Sequence, residues 1–213
     1  MLNGIKLIGI SGHAGSGKDS IAKYIHTFYQ DVWVEHFADP LKDCASAAFG
    51  VARDLFDDPE LKNVSIPYWN FSPRKMAQFV GTELFRDATI DIVSDPSIDH
   101  SFWVHRLQGK LLGELILDGE GEYSEGDTVL IPDVRFQDEV DWICANGGFI
   151  INVRRPGYEG AVGIPNHASE QLSSLNIPIG ASYGVNNSTT LPQLFQAVES
   201  ILENNPFFSL TRK

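Results

Sequence analysis

The residues with the plainest chemical meaning lie near the amino end. Gly12, His13, Ala14, Gly15, Ser16, Gly17 and Lys18 spell G-x-x-x-x-G-K, and Asp19 and Ser20 follow. Glycines at this spacing let the backbone close around phosphate oxygens, while N–H groups of the loop and of the helix behind it point at the anion. Lys18 adds a positive charge directed toward the β- and γ-phosphates of a nucleoside triphosphate, with ATP the expected one. A Ser or Thr usually follows the lysine and ligates Mg²⁺, but here that position is Asp19. A carboxylate can hold the hard cation directly or through water. Asp19 is therefore the favoured metal ligand and Ser20 the alternative.

Such a loop works only between a strand and a helix, and the pattern supplies both. Residues 5–10 (IKLIGI) form a short apolar run, and 21–29 (IAKYIHTFY) are amphipathic. Further along, 32–37 reads as a second strand, and the residues after Pro40 read as a helix stopped by Gly50. Residues 57–71 read as loop. Ser72 and Pro73 predict an N-cap and first-turn proline for a helix running to about Thr89. Another helix is expected over about 101–117. Residues 128–133 (TVLIPD) read as a buried strand, 137–145 as a helix closed by Asn146, Gly147 and Gly148, and 149–153 as a strand. Residues 154–179, rich in Gly, Pro, Ser and Asn, read as a lid. A last short strand over 183–186 and a helix with Leu191, Leu194, Phe195, Val198, Ile201 and Leu202 on one face complete the chain. Strands alternating with helices predict an α/β sandwich, its sheet mostly parallel and covered on both faces. At 213 residues a single domain over 1–213 is expected.

Composition narrows the function. A formal charge of −12 opposes general binding to nucleic acid or anionic lipid. No apolar run approaches the roughly 18 residues of a membrane span, and the amino end shows no basic leader region, so a cytoplasmic location is expected. Cys44 and Cys144 fit buried structural thiols better than a disulfide or a metal site. The cations gather instead near the segments above, as expected of a protein that handles a small, highly charged anion. No Asn/Thr-Lys-x-Asp motif marks a GTPase switch. The strand at 128–133 continues Pro132-Asp133-Val134-Arg135, without the Asp-Glu of a motor ATPase. Asp133 and Arg135 do stand at a strand end, where open α/β sheets place ligands. A small-molecule kinase needs a second anion pocket, arginines and a water-excluding lid, and the sequence offers all three.

In eight blocks the chain resembles the deoxynucleoside monophosphate kinases of tailed bacteriophages, within the wider nucleoside monophosphate kinase group. The blocks are SGHAGSGKDS at 11–20, FADPLKD at 37–43, FVGTELFRD at 79–87, FWVHRL at 102–107, IPDVRFQDE at 131–139, NVRRPG at 152–157, HASE at 167–170 and VNNSTTLPQL at 185–194. The resemblance implies a P-loop kinase sandwich with a five-stranded parallel sheet, a monophosphate-binding helical part over about 39–118 and a mobile lid. It also implies a viral source and transfer of the ATP γ-phosphate to a deoxynucleoside 5′-monophosphate. Phosphomevalonate or dephospho-coenzyme A kinase, and a non-catalytic nucleotide-binding protein, stand as alternatives. A homodimer is left open.

Roles follow from that resemblance. Arg74 and Arg86 are expected on the acceptor phosphate, and Lys42 facing the acceptor pocket. Trp103 would stack on the acceptor base, with a place in the core as the other reading. Asp133 would orient a Mg²⁺ water or the acceptor, and Arg135 would touch a phosphate. Arg155 would reach the ATP phosphates when the lid closes. Asn186 and Asn187, after the last strand, would hold adenine. His167, Ser169 and Glu170 read as a cluster that orders a loop, and Asp39 as a turn former.

Overall fold

A computed structural model describes residues 2–88, 101–115, 123–157, 175–188, 190–205 and 210–213. Five strands form one sheet: β1 (Lys6–Ser11), β2 (Val32–Val34), β3 (Thr128–Val134), β4 (Phe149–Arg154) and β5 (Ser182–Asn186). Their spatial order is β2-β3-β1-β4-β5, and every pairing is parallel. The helices are α1 (Lys18–Phe28), α2 (Ala38–Phe49), α3 (Pro73–Gln78), α4 (Phe102–Leu111), α5 (Gln137–Ala145) and α6 (Leu191–Asn204).

The alternation of side chains along the strands builds the three layers. Ile8, Ile10, Leu130, Ile151 and Val153 pack on one face against Ile21 and Ile25 of α1 and Leu194 and Val198 of α6. Leu7, Val129, Ile131 and Ile150 pack on the other against Val140 and Ile143 of α5 and Trp103 and Leu107 of α4. A smaller cluster of Ala45, Val51, Phe56, Met76 and Val80 joins α2 to α3. The connection after β1 runs through α1 to one side of the sheet. That after β3 runs through α5 to the other. The crevice between the carboxyl ends of β1 and β3 is therefore the switch point at which such sheets bind ligands.

Most expected elements are present, with informative departures. β2 stops at Val34 rather than reaching Phe37, and α2 then begins at Ala38. Asp39 and Pro40 thus lie in the first turn of α2, where a proline is tolerated, and Asp39 pairs with Lys42 and Arg53 instead of forming a turn. Ser72 caps α3 as expected, accepting from the Lys75 N–H at 3.4 Å. Beyond Gln78 the helix widens to π-type i→i+5 bonding over Phe79–Ala88. α4 ends at Leu111, short of the expected 117, and Gly113 turns the chain with φ 67°. Cys44 and Cys144 are unpaired and half-buried rather than buried. The central part of the expected lid, with His167, Ser169 and Glu170, lies outside the described residues. Among those described, no helix is long and apolar enough to cross a membrane.

Candidate active site

The G-x-x-x-x-G-K loop joins β1 to α1, and glycine is required at both of its ends. A Cβ on Gly12 would sit 2.4 Å from the Val153 carbonyl oxygen, and Gly17 holds φ 107° as the residue that opens α1. Three loop carbonyls are occupied by donors from around the loop. Lys18 Nζ donates to His13 O at 3.0 Å, Arg155 Nη1 to Gly15 O at 3.0 Å, and Asn187 Nδ2 to Ser16 O at 2.7 Å. The Asn187 N–H donates in turn to Arg154 O at 2.8 Å. The strand ends of β4 and β5 thus clasp the loop from outside.

Two cavities meet at this loop. The smaller, about 260 Å³, is bounded by Gly15, Gly17, Lys18, Asp19, Ser20, Arg155, Asn187 and Leu191. The larger, about 670 Å³, runs between α1, α2, the Pro73–Ala88 helix and the end of β3, a size that suits a small ligand. Gly15, Lys18 and Asp19 border both. Seven Lys or Arg residues line the larger cleft (Lys18, Lys23, Lys42, Lys62, Arg74, Arg86 and Arg135) against four carboxylates (Asp19, Asp57, Asp133 and Glu139). In a chain of charge −12 this basic excess is local to the cleft.

Several of these cations are held by acids. Lys42 bonds Asp39 at 3.2 Å and Asp57 at 2.8 Å, and although burial opposes its charge, these carboxylates raise its pKa above the ordinary value. Arg86, almost fully buried, reaches Asp138 at 2.7 Å and Glu139 at 2.6 Å, with its guanidinium 3.8 Å from the centre of the Phe136 ring. The other Glu139 oxygen accepts the N–H groups of Arg135 at 2.7 Å and Phe136 at 3.1 Å. Burial pushes the Glu139 carboxyl up to about 8 against the pull of Arg86; Asp138 pushes it up and the Arg135 N–H pulls it down. Asp133 accepts from the Phe37 N–H at 3.2 Å and the Ala38 N–H at 2.8 Å, so the end of β3 caps the start of α2.

Of the residues singled out from sequence, Ala14, Lys42, Arg74, Arg86, Trp103, Asp133 and Arg135 line the larger cleft, and Ser20, Arg155 and Asn187 the smaller. Trp103 is buried against Phe85 and Phe102, and its indole N–H donates to Gly81 O at 2.9 Å, so only part of the ring faces the cleft. Asn186 is exposed at the end of β5 and borders neither cavity. Among the described residues no three His, Cys, Asp or Glu side chains gather to hold a metal ion. A cation at Asp19 would complete its shell with phosphate and water.

Sequence reasoning missed three groups on these walls. Gln78 and Thr82 line the cleft between Arg74 and Arg86, and the four-residue spacing of this set was a readable signal. Glu139, four residues after Arg135, carried the signal of a capping residue. Lys62 had no local signal at all. It is brought to the cleft by a long-range backbone bond, Arg74 N–H to Lys62 O at 2.8 Å.

No protein-family model matches the chain. Over 203 residues, 93% of this chain and 96% of the other, it is 30% identical to a protein of Acanthamoeba polyphaga mimivirus named "Putative deoxynucleotide monophosphate kinase". Likeness of that degree along nearly the whole of both chains, over a parallel sheet with a G-x-x-x-x-G-K loop at its switch point, places the chain in the deoxynucleotide monophosphate kinase family.

Proposed function

We propose that the protein transfers the γ-phosphate of ATP, with Mg²⁺, to a deoxynucleoside 5′-monophosphate, giving ADP and the deoxynucleoside diphosphate. The observation that carries this reading is the basic cleft opening onto the phosphate loop at Lys18 and Asp19. In this reading ATP enters by the smaller polar cavity, its phosphates on the loop N–H groups and α1, with Arg155 and Asn187 at its wall. The acceptor occupies the larger cleft, which Lys42, Arg74, Arg86, Trp103, Asp133 and Arg135 line.

An acceptor phosphate oxygen attacks the γ-phosphorus, the bond to the β-phosphate oxygen breaks, and ADP leaves. A monophosphate oxygen is already a nucleophile near neutral pH, so no side chain need take a proton. The work is positioning and charge neutralisation. Lys18 neutralises the β- and γ-oxygens. Asp19 and Ser20, in the first turn of α1, are the groups placed to hold Mg²⁺, which when bound offsets phosphate charge.

The test is ADP formation from ATP·Mg²⁺ with each deoxy- and ribonucleoside monophosphate offered singly. Stimulation by at least one deoxynucleoside monophosphate is expected. Lys18→Ala should lower turnover about 100- to 1,000-fold, the cost typical of losing one transition-state charge contact. ATP binding without stimulation by any monophosphate would sink the proposal.

A further inference from the structure

The cations of the larger cleft are not equally provided with counter-charge. Lys42 has Asp39 and Asp57, and Arg86 has Asp138 and Glu139. Lys62 is half-buried on the wall of the same cleft, and among the described residues no carboxylate lies within ion-pair distance of it. Burial first, and then the Arg74 charge, lower its pKa; Asp19 and Asp57 oppose this and Lys42 adds to it. A partly desolvated ammonium that has no carboxylate within ion-pair distance among the described residues is unfavourable unless an anion joins it.

The backbone fixes these two cations as a pair. The Arg74 N–H donates to Lys62 O, and the segment carrying Lys62 is tied down by the Lys62 N–H to Asp58 O at 3.1 Å and by the bridge between Ile66 and Phe71. Lys62 and Arg74 therefore line the larger cleft together, and Lys18 and Asp19 of the phosphate loop line it too.

Building on the kinase reading, we propose that Lys62 is a substrate-binding residue, which with Arg74 holds the phosphate of the acceptor monophosphate. Lys62 contributes the point charge and Arg74 the forked donor. The anion that these residues hold belongs to the acceptor and not to ATP.

Equilibrium binding tests this, with the monophosphate that best stimulates the wild type, the matching deoxynucleoside without its phosphate, and ATP·Mg²⁺ as three separate probes. Lys62→Met keeps the length and apolar stem. It is expected to weaken monophosphate binding about 10- to 100-fold, as for loss of a charge-assisted phosphate contact, and to leave deoxynucleoside and ATP binding within about twofold. Lys62→Arg should retain most of the monophosphate affinity. Because the ammonium is held at a desolvation cost, Lys62→Met should also melt no lower than wild type. Equal monophosphate binding by wild type and Lys62→Met would overturn the assignment while leaving the kinase reading intact, and so would a loss confined to ATP. Failure of the wild type to bind any monophosphate would overturn both.

Discussion

Asn187→Ala separates the way the phosphate loop is held from the chemistry it performs. The Asn187 carboxamide donates to the carbonyl of Ser16 at 2.7 Å, and the two residues are 9% and 1% exposed. Removing the donor leaves that carbonyl without this partner in a site water scarcely reaches, at a cost of about 1–3 kcal/mol. For a chain of this size each kcal/mol lowers the melting temperature by about 2–4 °C, so a fall of about 2–12 °C is expected. The loop must then be reordered when ATP binds, so ATP affinity should drop about tenfold while acceptor affinity stays unchanged. Asn187→Asp should be worse than alanine, because it sets a carboxylate oxygen against the Ser16 carbonyl. Gly17→Ala adds a second axis: its Cβ would lie 2.7 Å from Asn187 Nδ2, on backbone at φ 107°. In the Gly17→Ala, Asn187→Ala double variant the contact is relieved but the backbone strain remains, so the two losses should add to less than their sum. Calorimetric melting and ATP titration read the four variants against wild type. Asn187→Ala melting within about 1 °C of wild type, below the smallest fall of about 2 °C that the lost bond allows, and binding ATP equally well would refute the clasp.

The other predictions concern the end of β3. Asp133→Ala removes the acceptor for the first N–H groups of α2 and should cost about 1–2 kcal/mol in urea unfolding; an unchanged midpoint would mean that these groups find other partners. Glu139 sets a pH dependence. Burial lifts its carboxyl from the ordinary 4.5 to about 8, so between these values the folded protein holds a proton that the unfolded chain has released. Its contribution to stability is then full below about pH 4.5 and is lost as pH rises toward 8. Melting temperatures of wild type and Glu139→Gln across pH 5–8.5 should show a decline in the first that is flattened in the second, and parallel curves would contradict it.

What the sequence made legible was local. The strand–loop–helix around Lys18, the helix over 137–145 and the capped start at Ser72 depend on periodicity and punctuation within a few residues, and these appear where expected. What it concealed depends on partners far along the chain. β2 ends early because the chain turns into α2, whose first N–H groups are capped by Asp133, 95 residues from Ala38. Asp39 reads as a turn former beside Pro40 until Lys42 and Arg53 are seen to occupy it. Lys62 sits in a stretch with loop composition, and its place at the cleft comes from one backbone bond to Arg74. The roles of Arg86 and Asn187 are of the same kind, since a motif shows that such residues are present but not which neighbour already holds them.

That distinction bears on how the cleft divides its labour. Arg86 is buried and bonded to Asp138 and Glu139, so receiving a phosphate there means giving up a bond to an acid inside the protein, and breaking a buried ion pair such as that with Asp138 costs about 3–5 kcal/mol. Its present bonds suit it better to bracing the Pro73–Ala88 helix against α5, which also fixes the Arg135 and Phe136 N–H groups through Glu139. A half-buried lysine without an ion-paired acid surrenders nothing when an anion arrives. The same logic scales to the whole molecule. Twenty-eight acidic residues against sixteen basic ones give a field that repels long polyanions. Among the described residues, the cations exceed the acids on the walls of the cavity of about 670 Å³ and of the smaller one beside it. A small anion that enters such a cavity exchanges a repulsive exterior for a locally attractive wall.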